Sequence, residues 1–197
     1  IPDYRWGWYY QQLLKLYIFK TKVTDKEYCL VFDSDILLLN KLYIFDGDTP
    51  YIFKRNTDDK GVHKPYLLCQ KYILPNLESN KENSGICHFM LFKKSLINKL
   101  FDNIIKIHNK PVWKAILDGV KNYVINYGYN NSILSEYEIY YNYIKDLKIY
   151  KYNNRLQYRD ISYNVFNIVN KENLAFIADH HYQSRGENDY KKDNLME

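Results

Sequence analysis

Four stretches of the chain carry apolar residues at the spacing of an amphipathic α-helix. The apolar face of the most regular stretch, residues 93–108, consists of Leu96, Ile97, Leu100, Ile104 and Ile107. The others span residues 6–20, 111–124 and 135–144, and the last begins at Ser135 with two glutamates in its first turn. Because a serine cap and early acidic residues stabilise a helix N-terminus, we predict four helices at these positions.

Short, uniformly apolar runs predict strands that are buried on both faces, as in a parallel sheet. Residues 28–32 (Tyr-Cys-Leu-Val-Phe) and 84–92 are the strongest candidates, and residues 51–53, 147–152 and 173–178 are further ones. Strands that alternate with helices predict an α/β fold. We therefore expect a mixed, mostly parallel sheet flanked by helices.

The segments between these elements are polar. Residues 56–64 predict a polar loop, and residues 71–83 predict a loop or a short helix. Since no Gly/Ser-rich linker divides the chain, we predict a single domain over residues 1–185. Residues 186–197 are polar, which predicts a flexible C-terminal tail.

Composition narrows the class of protein. The 197 residues are 46% hydrophobic and 26% charged, which is typical of a globular chain. The net charge of +5 is spread along the sequence, so we expect no nucleic-acid partner. Since the sequence has no apolar run of about 18 residues and no signal peptide, we expect no membrane span, no secretion by a signal of its own and a cytoplasmic location.

The cysteine and tyrosine content adds two further expectations. Cys29, Cys69 and Cys87 lack metal-ligand spacing, which predicts reduced thiols in a cytosol-like compartment. The 22 tyrosines accompany abundant Asn, Lys and Ile, all with A/T-rich codons. This bias indicates an A/T-rich genome, viral or protist-like, and a viral protein would act in the host cytoplasm or the virion. Most of the tyrosines therefore carry no functional information.

The strongest chemical feature is Asp33-Ser34-Asp35, which directly follows residues 28–32. Burying an unpaired aspartate is costly, so two aspartates at the end of a buried strand indicate a bound cation. Ligands of open α/β sheets bind beyond the carboxyl ends of the strands. Carboxylate oxygens suit Mn²⁺ or Mg²⁺, which commonly join a few carboxylates to substrate phosphates. The motif therefore predicts a metal-diphosphate site, with a turn of solvated aspartates as the alternative.

Residues 30–39 (Leu-Val-Phe-Asp-Ser-Asp-Ile-Leu-Leu-Leu) resemble the Asp-x-Asp segment of GT-A glycosyltransferases. More narrowly, residues 7–16, 84–92 and 135–140 resemble, in this order, segments of a poorly characterised glycosyltransferase-like family of bacteria and large DNA viruses. The resemblance spans most of residues 6–145. It implies a GT-A-like fold, which is Rossmann-like, and a nucleotide-sugar donor such as a UDP- or GDP-sugar.

The resemblance also implies how the metal and donor are held. Asp35 would bind the metal directly, Asp33 would contact the ribose or a metal-bound water, and Ser34 lies within the same cofactor-binding motif. A third metal ligand is expected at His180 or His181, directly after the last predicted strand. GT-A domains usually place a nucleotide-binding strand and helix before the motif. Because 32 residues precede Asp33, we expect this N-terminal part to be short or missing.

Five further residues are candidates for binding the donor or acceptor. In the first predicted helix, Lys15 could contact the diphosphate, and Gln11 or Gln12 could contact the sugar. For these three polar residues, a solvated helix face is the alternative interpretation. Trp8 could stack on a sugar ring. His88 lies in a predicted strand, where it either contacts the sugar or acceptor or has a structural role.

Two acidic residues are candidates for the general base of an inverting transferase. Glu136 and Glu138 lie at the start of a predicted helix, where the helix dipole favours ionised carboxylates. Because residues two apart point in different directions on a helix, we expect one of them to face the site and prefer Glu136. Ordinary acidic residues at a helix N-terminus are the alternative.

Together these features predict a metal-dependent glycosyltransferase that moves a sugar to a hydroxyl group on a glycan, lipid or protein. A metal-dependent nucleotidyl- or phosphotransferase is one alternative, because paired aspartates serve that chemistry too. A non-catalytic glycan-binding module is the other. The sequence does not distinguish retention from inversion at the sugar.

Overall fold

The computed structural model describes residues 6–56, 64–128, 132–153, 158–161 and 175–179. This part of the chain contains five helices and several small sheets, so the predicted mixed α/β class is confirmed. The helices are α1 (Trp6–Leu16), α2 (Lys64–Ile73), α3 (Lys94–His108), α4 (Val112–Tyr127) and α5 (Glu136–Ile144). The predicted tail, residues 186–197, lies outside the described residues.

Four helices coincide with predicted ones, although α1 ends at Leu16 and not at residue 20. Helix α2 is a correction, because it begins at Lys64, where no helix is predicted. Its buried face consists of Cys69, Gln70 and Ile73. The amide of Gln70 donates a hydrogen bond to the Ser79 hydroxyl over 3.1 Å, which allows a polar side chain to be buried there.

The described part of the chain also contains ten short strands. They are β1 (Tyr28–Phe32), β2 (Ile36–Leu38), β3 (Phe45–Asp46), β4 (Thr49–Ile52), β5 (Arg55–Asn56), β6 (Asn83–Ser84), β7 (Phe89–Lys93), β8 (Lys151–Tyr152), β9 (Tyr158–Ile161) and β10 (Phe176–Asp179). The predicted strand over residues 84–92 divides into β6 and β7, and the one over residues 147–152 is reduced to β8. The sheets have the orders β1-β7, β2-β10-β9, β3-β4-β8 and β5-β6.

The prediction of a mostly parallel sheet is wrong for the described residues. The pairs β1-β7, β2-β10, β3-β4 and β5-β6 are antiparallel, and only β9-β10 and β4-β8 are parallel. A uniformly apolar strand shows that both faces are covered but does not show the direction of its neighbour.

The two faces of the β1-β7 ribbon pack against two different apolar cores, with β7 mostly buried and β1 half-buried. Met90 and Phe92 face the larger core, to which all five helices contribute. Phe89 faces the smaller one, with Phe53 and Phe176. The ribbon therefore holds the chain segments that follow β1 and precede β7 at one fixed place in the fold.

No helix in the described part of the chain is long and apolar enough to cross a membrane.

Candidate functional site

The register of the β1-β7 ribbon brings Asp33 and His88 together. The last residue pair of the ribbon is Phe32 with Phe89. Asp33 directly follows β1 and His88 directly precedes β7, so the two residues lie side by side. The Asp33 amide donates a hydrogen bond to the His88 carbonyl over 2.8 Å. His88 is buried and has a φ of 64°, a left-handed conformation that is uncommon for a residue other than glycine. Such conformations persist where the surrounding structure enforces them, often at functional sites.

Three side chains at this end of the ribbon can converge on one cation. Asp33, Asp35 and His88 each offer a ligand atom, and these atoms lie within 4.8 Å of one another. The His88 Nδ1 atom is 3.6 Å from Asp33 Oδ2. Asp35 is exposed and His88 is buried, so the group reaches from the ribbon to solvent. Two carboxylates and an imidazole are ligands that divalent metal ions accept.

Lys15 and Tyr137 occupy the other oxygen of Asp33. The Lys15 ammonium, from α1, donates a hydrogen bond to Asp33 Oδ1 over 2.6 Å, and the Tyr137 hydroxyl, from α5, donates to the same atom over 3.0 Å. Lys15 Nζ also lies 4.4 Å from the centre of the Tyr137 ring. Burial raises the pKa of Asp33, but the nearby His88 ring, the charge of Lys15 and the hydrogen bonds from Lys15 and Tyr137 outweigh burial and lower the pKa. Asp33 is therefore held as a carboxylate.

Glu136 joins the site through Lys15. Its Oε1 atom lies 2.9 Å from Lys15 Nζ, and its side chain is 1% exposed. Burial raises the pKa of Glu136 to about 7, and the positive charge of Lys15 limits the rise. One ammonium group thus lies between two carboxylates that come from distant parts of the sequence.

The burial of Glu136 predicts that stability depends on pH. The pKa of this carboxyl is raised from 4.5 to about 7, so between these values the folded chain keeps a proton that the unfolded chain has lost. The stability that this raised pKa contributes is fully present below the pKa of Glu136 in the unfolded chain, and it is lost as pH rises through about 7. We expect wild type to lose free energy of unfolding relative to Glu136→Gln between about pH 5 and about pH 8. Urea denaturation over this range measures the difference, and a constant difference would contradict the assignment.

Glu138 has a different environment from Glu136. Its Oε2 atom accepts hydrogen bonds from the Ser84 hydroxyl over 2.6 Å and from the Gly85 backbone amide over 3.1 Å. Its Oε1 atom accepts one from the Asn142 side-chain amide over 3.0 Å. Burial raises the pKa of Glu138, and these three donors limit the rise. Through the hydrogen bonds from Ser84 and Gly85, this carboxylate joins α5 to the chain between β6 and β7. Of the two predicted base candidates, the structure groups only Glu136 with Asp33.

The remaining predicted residues of α1 lie at different depths. Gln12 is buried, and its side-chain oxygen accepts a hydrogen bond from the Glu136 amide over 3.3 Å. This bond satisfies a backbone donor in the first turn of α5, which supports a structural role for Gln12. Trp8 packs against the larger core, and Gln11 is exposed.

Three other residues are predicted at the metal-diphosphate site: Ser34, His180 and His181. Ser34 is exposed between the two aspartates. His180 and His181 lie outside the described residues. They follow β10, in which Ala178 pairs with Ile36, the residue directly after Asp35. The backbone at the end of β10 therefore lies beside the Asp35 segment.

Tyr137 is the site residue that sequence reasoning missed. The abundance of tyrosine removed it from consideration, although its position between Glu136 and Glu138 in the first turn of α5 was visible. The hydrogen bonds that Ser84 and Asn142 donate to the predicted candidate Glu138 were also missed. Ser84 is far from the other two in the sequence, so only the tertiary structure shows its contact.

Comparison with known proteins places the chain in a family but gives no activity. A family model described as a family of unknown function, DUF6492, matches residues 4–182. No curated protein and no solved structure matches the chain. Because the family model covers most of the 197 residues, the chain belongs to this family of unknown function, DUF6492.

Proposed function

We propose that this protein is a metal-dependent glycosyltransferase of the GT-A-like type that uses a nucleoside-diphosphate sugar. The observation that carries the proposal is the convergence of Asp33, Asp35 and His88 within 4.8 Å, at the end of a ribbon that packs between two apolar cores. A Mn²⁺ or Mg²⁺ ion bound there would neutralise the charge that develops on a departing diphosphate.

The charges around the site suit a diphosphate. Asp33 and Asp35 would balance a divalent cation, and the ammonium of Lys15 lies 2.6 Å from Asp33. Lys15 and the Tyr137 hydroxyl both engage Asp33 Oδ1, which leaves Oδ2, the atom nearer His88, for the metal or for a water on it. We assign Asp35, the exposed aspartate, to the direct contact with the metal.

A third metal ligand remains to be assigned among three histidines. His88 is the one that the described residues bring within reach of both aspartates. His180 and His181 stay as predictions, supported by the position of β10 beside β2. Comparing Mn²⁺ affinity in His88→Gln and in a double His180→Gln, His181→Gln variant would distinguish them.

Glu136 is our candidate for the general base. A base works best with a pKa near the operating pH, and the pKa of Glu136 is raised to about 7. The side chain is 1% exposed, so an acceptor hydroxyl reaches it only if Lys15 or α1 moves aside. In this role Glu136 makes the transfer rate rise with pH through about 7, and Glu136→Gln removes that rise.

The proposal is tested by donor turnover. We expect wild-type protein with Mn²⁺ to hydrolyse or transfer a UDP- or GDP-sugar, to stop in EDTA and to be inactive on plain nucleoside triphosphates. Asp35→Asn should lower turnover by about a hundredfold, because the metal loses its charged ligand. Asp48→Asn, an exposed aspartate in the turn between β3 and β4, is the matched control. Turnover that survives EDTA and Asp35→Asn would disprove the proposal, and activity on triphosphates alone would favour a nucleotidyltransferase.

A further inference from the structure

The outer face of α1 and α4 carries a groove lined by apolar and aromatic side chains, with a volume of about 490 Å³. We call it the α1–α4 groove. The residues that define it are Trp6, Tyr10, Leu14, Tyr17, Trp113 and Leu117. Several of these large side chains are open to solvent: Trp6 is 50% exposed, Tyr10 64% and Trp113 48%. Exposed apolar patches of this kind mark interaction surfaces.

The apolar surface continues along α4 beyond the groove. A second depression of about 330 Å³ shares Trp6 and Leu117 with the groove and extends to Lys121 and Ile125. Ile125 is 69% exposed. Aromatic residues with a polar edge, next to exposed aliphatic ones, are the composition found at membrane–water interfaces.

The charge around the groove is positive. Lys110, Lys114 and Lys121 all lie close enough to Asp118 to lower its pKa, and Lys110 pairs with it over 2.7 Å. Asp118 is the only acidic residue in the sequences of α1 and α4. These three lysines and Asp118 together carry a net charge of +2.

We propose that the α1–α4 groove is a docking surface for an anionic phospholipid bilayer, with Trp6, Trp113 and their apolar neighbours entering the headgroup region and Lys114 and Lys121 contacting the lipid phosphates. Lysine side chains can keep their charge at the surface while their stems cover apolar groups. A surface that combines apolar anchors with basic residues binds anionic membranes more tightly than neutral ones.

The same charges disfavour a second copy of the chain as the occupant. A two-fold dimer brings the same patch of both subunits together, so the basic edge would face itself. Like charges placed opposite one another weaken such an interface. The proposal concerns the face of α1 opposite to Lys15 and Gln12, and it does not depend on the chemistry of the Asp33 site.

The test is co-sedimentation of the full chain with vesicles of phosphatidylcholine alone or mixed equally with phosphatidylglycerol. We expect binding to the anionic vesicles, and weaker binding at high salt. Lys114→Glu with Lys121→Glu should lower the partition coefficient at least about 30-fold, since each surface lysine contributes about a fivefold gain. Trp6→Ser with Trp113→Ser should lower it as well. Lys148→Glu and Tyr43→Ser, at exposed positions outside the groove, are the matched controls and should bind like wild type.

All these substitutions are at exposed positions, and thermal melts that match wild type will show that the variants fold. The proposal would be overturned by no binding to anionic vesicles, by equal binding to neutral and anionic vesicles, or by a dimer of the free protein that Trp113→Ser dissociates. Equal loss of binding in the control variants would overturn it too.

Discussion

Replacing Lys15 by methionine should lower the free energy of unfolding by about 3–5 kcal/mol above neutral pH. The ammonium of Lys15 lies 2.6 Å from Asp33 Oδ1 and 2.9 Å from Glu136 Oε1. Methionine preserves most of the side-chain volume but leaves both carboxylates without their cation. Removing one member of a buried ionic group is costly because the remaining charges stay desolvated. The loss should be smaller at about pH 5, where the buried Glu136 is protonated.

A second substitution separates charge from packing. If the cost comes from the uncompensated Glu136 carboxylate, Glu136→Gln in the Lys15→Met background should restore part of the lost stability, as a double-mutant cycle would measure. Lys22→Met, at an exposed position after α1, is the control and should change stability by less than about 0.5 kcal/mol. Urea denaturation in EDTA gives the free energies. Equal losses in Lys15→Met with and without Glu136→Gln would show that the charges are not coupled.

Replacing Gly85 by alanine should cost about 3 kcal/mol or more. A Cβ atom at this position would lie 2.2 Å from Tyr141 Cβ, 2.7 Å from Tyr141 Cγ and 2.9 Å from the Tyr137 carbonyl oxygen. All three atoms belong to α5, so the turn between β6 and β7 would have to move away from this helix. The movement would also stretch the hydrogen bond from the Gly85 amide to Glu138.

The matched control for Gly85→Ala is Gly7→Ala in α1. A Cβ at Gly7 meets nothing within 4 Å, and alanine favours a helix, so this variant should be as stable as wild type or more so. Thermal and urea denaturation report both. Because the turn leads into His88, Gly85→Ala should also weaken any Mn²⁺ binding in the fraction that folds. A Gly85→Ala protein as stable as Gly7→Ala would show that the turn does not pack against α5 as described.

Much of the fold was predictable where one property dominates the pattern. The apolar periodicity of residues 93–108 and the serine cap of α5 each identify a helix, and the Ser135 side chain does accept a hydrogen bond from the Glu138 amide. Helix α2 was not predictable in this way, because Gln70 occupies part of its buried face and depends on tertiary partners. The relative direction of β1 and β7 was not predictable either, because an apolar strand has the same sequence pattern in a parallel and in an antiparallel pair.

The candidate site was partly predictable for a related reason. Asp33 and Asp35 stand out because they end an apolar strand, and the chemistry of carboxylates points to a cation. The position of His88 beside Asp33 depends on the register of β1 and β7, which the sequence does not contain in any local pattern. The choice between Glu136 and Glu138 depends on which way α5 faces, and that is set by its packing against α1 and the β6-β7 turn.

The most direct test of the central claim is Mn²⁺ binding measured by calorimetry, with and without UDP or GDP. We expect wild-type protein to bind one Mn²⁺ ion, and to bind it more tightly with one of the nucleoside diphosphates. Asp35→Asn should weaken this affinity at least about tenfold, and Asp48→Asn should leave it unchanged. No Mn²⁺ binding by wild type with either nucleotide, or equal affinity in wild type and Asp35→Asn, would contradict a metal-diphosphate site at Asp33 and Asp35.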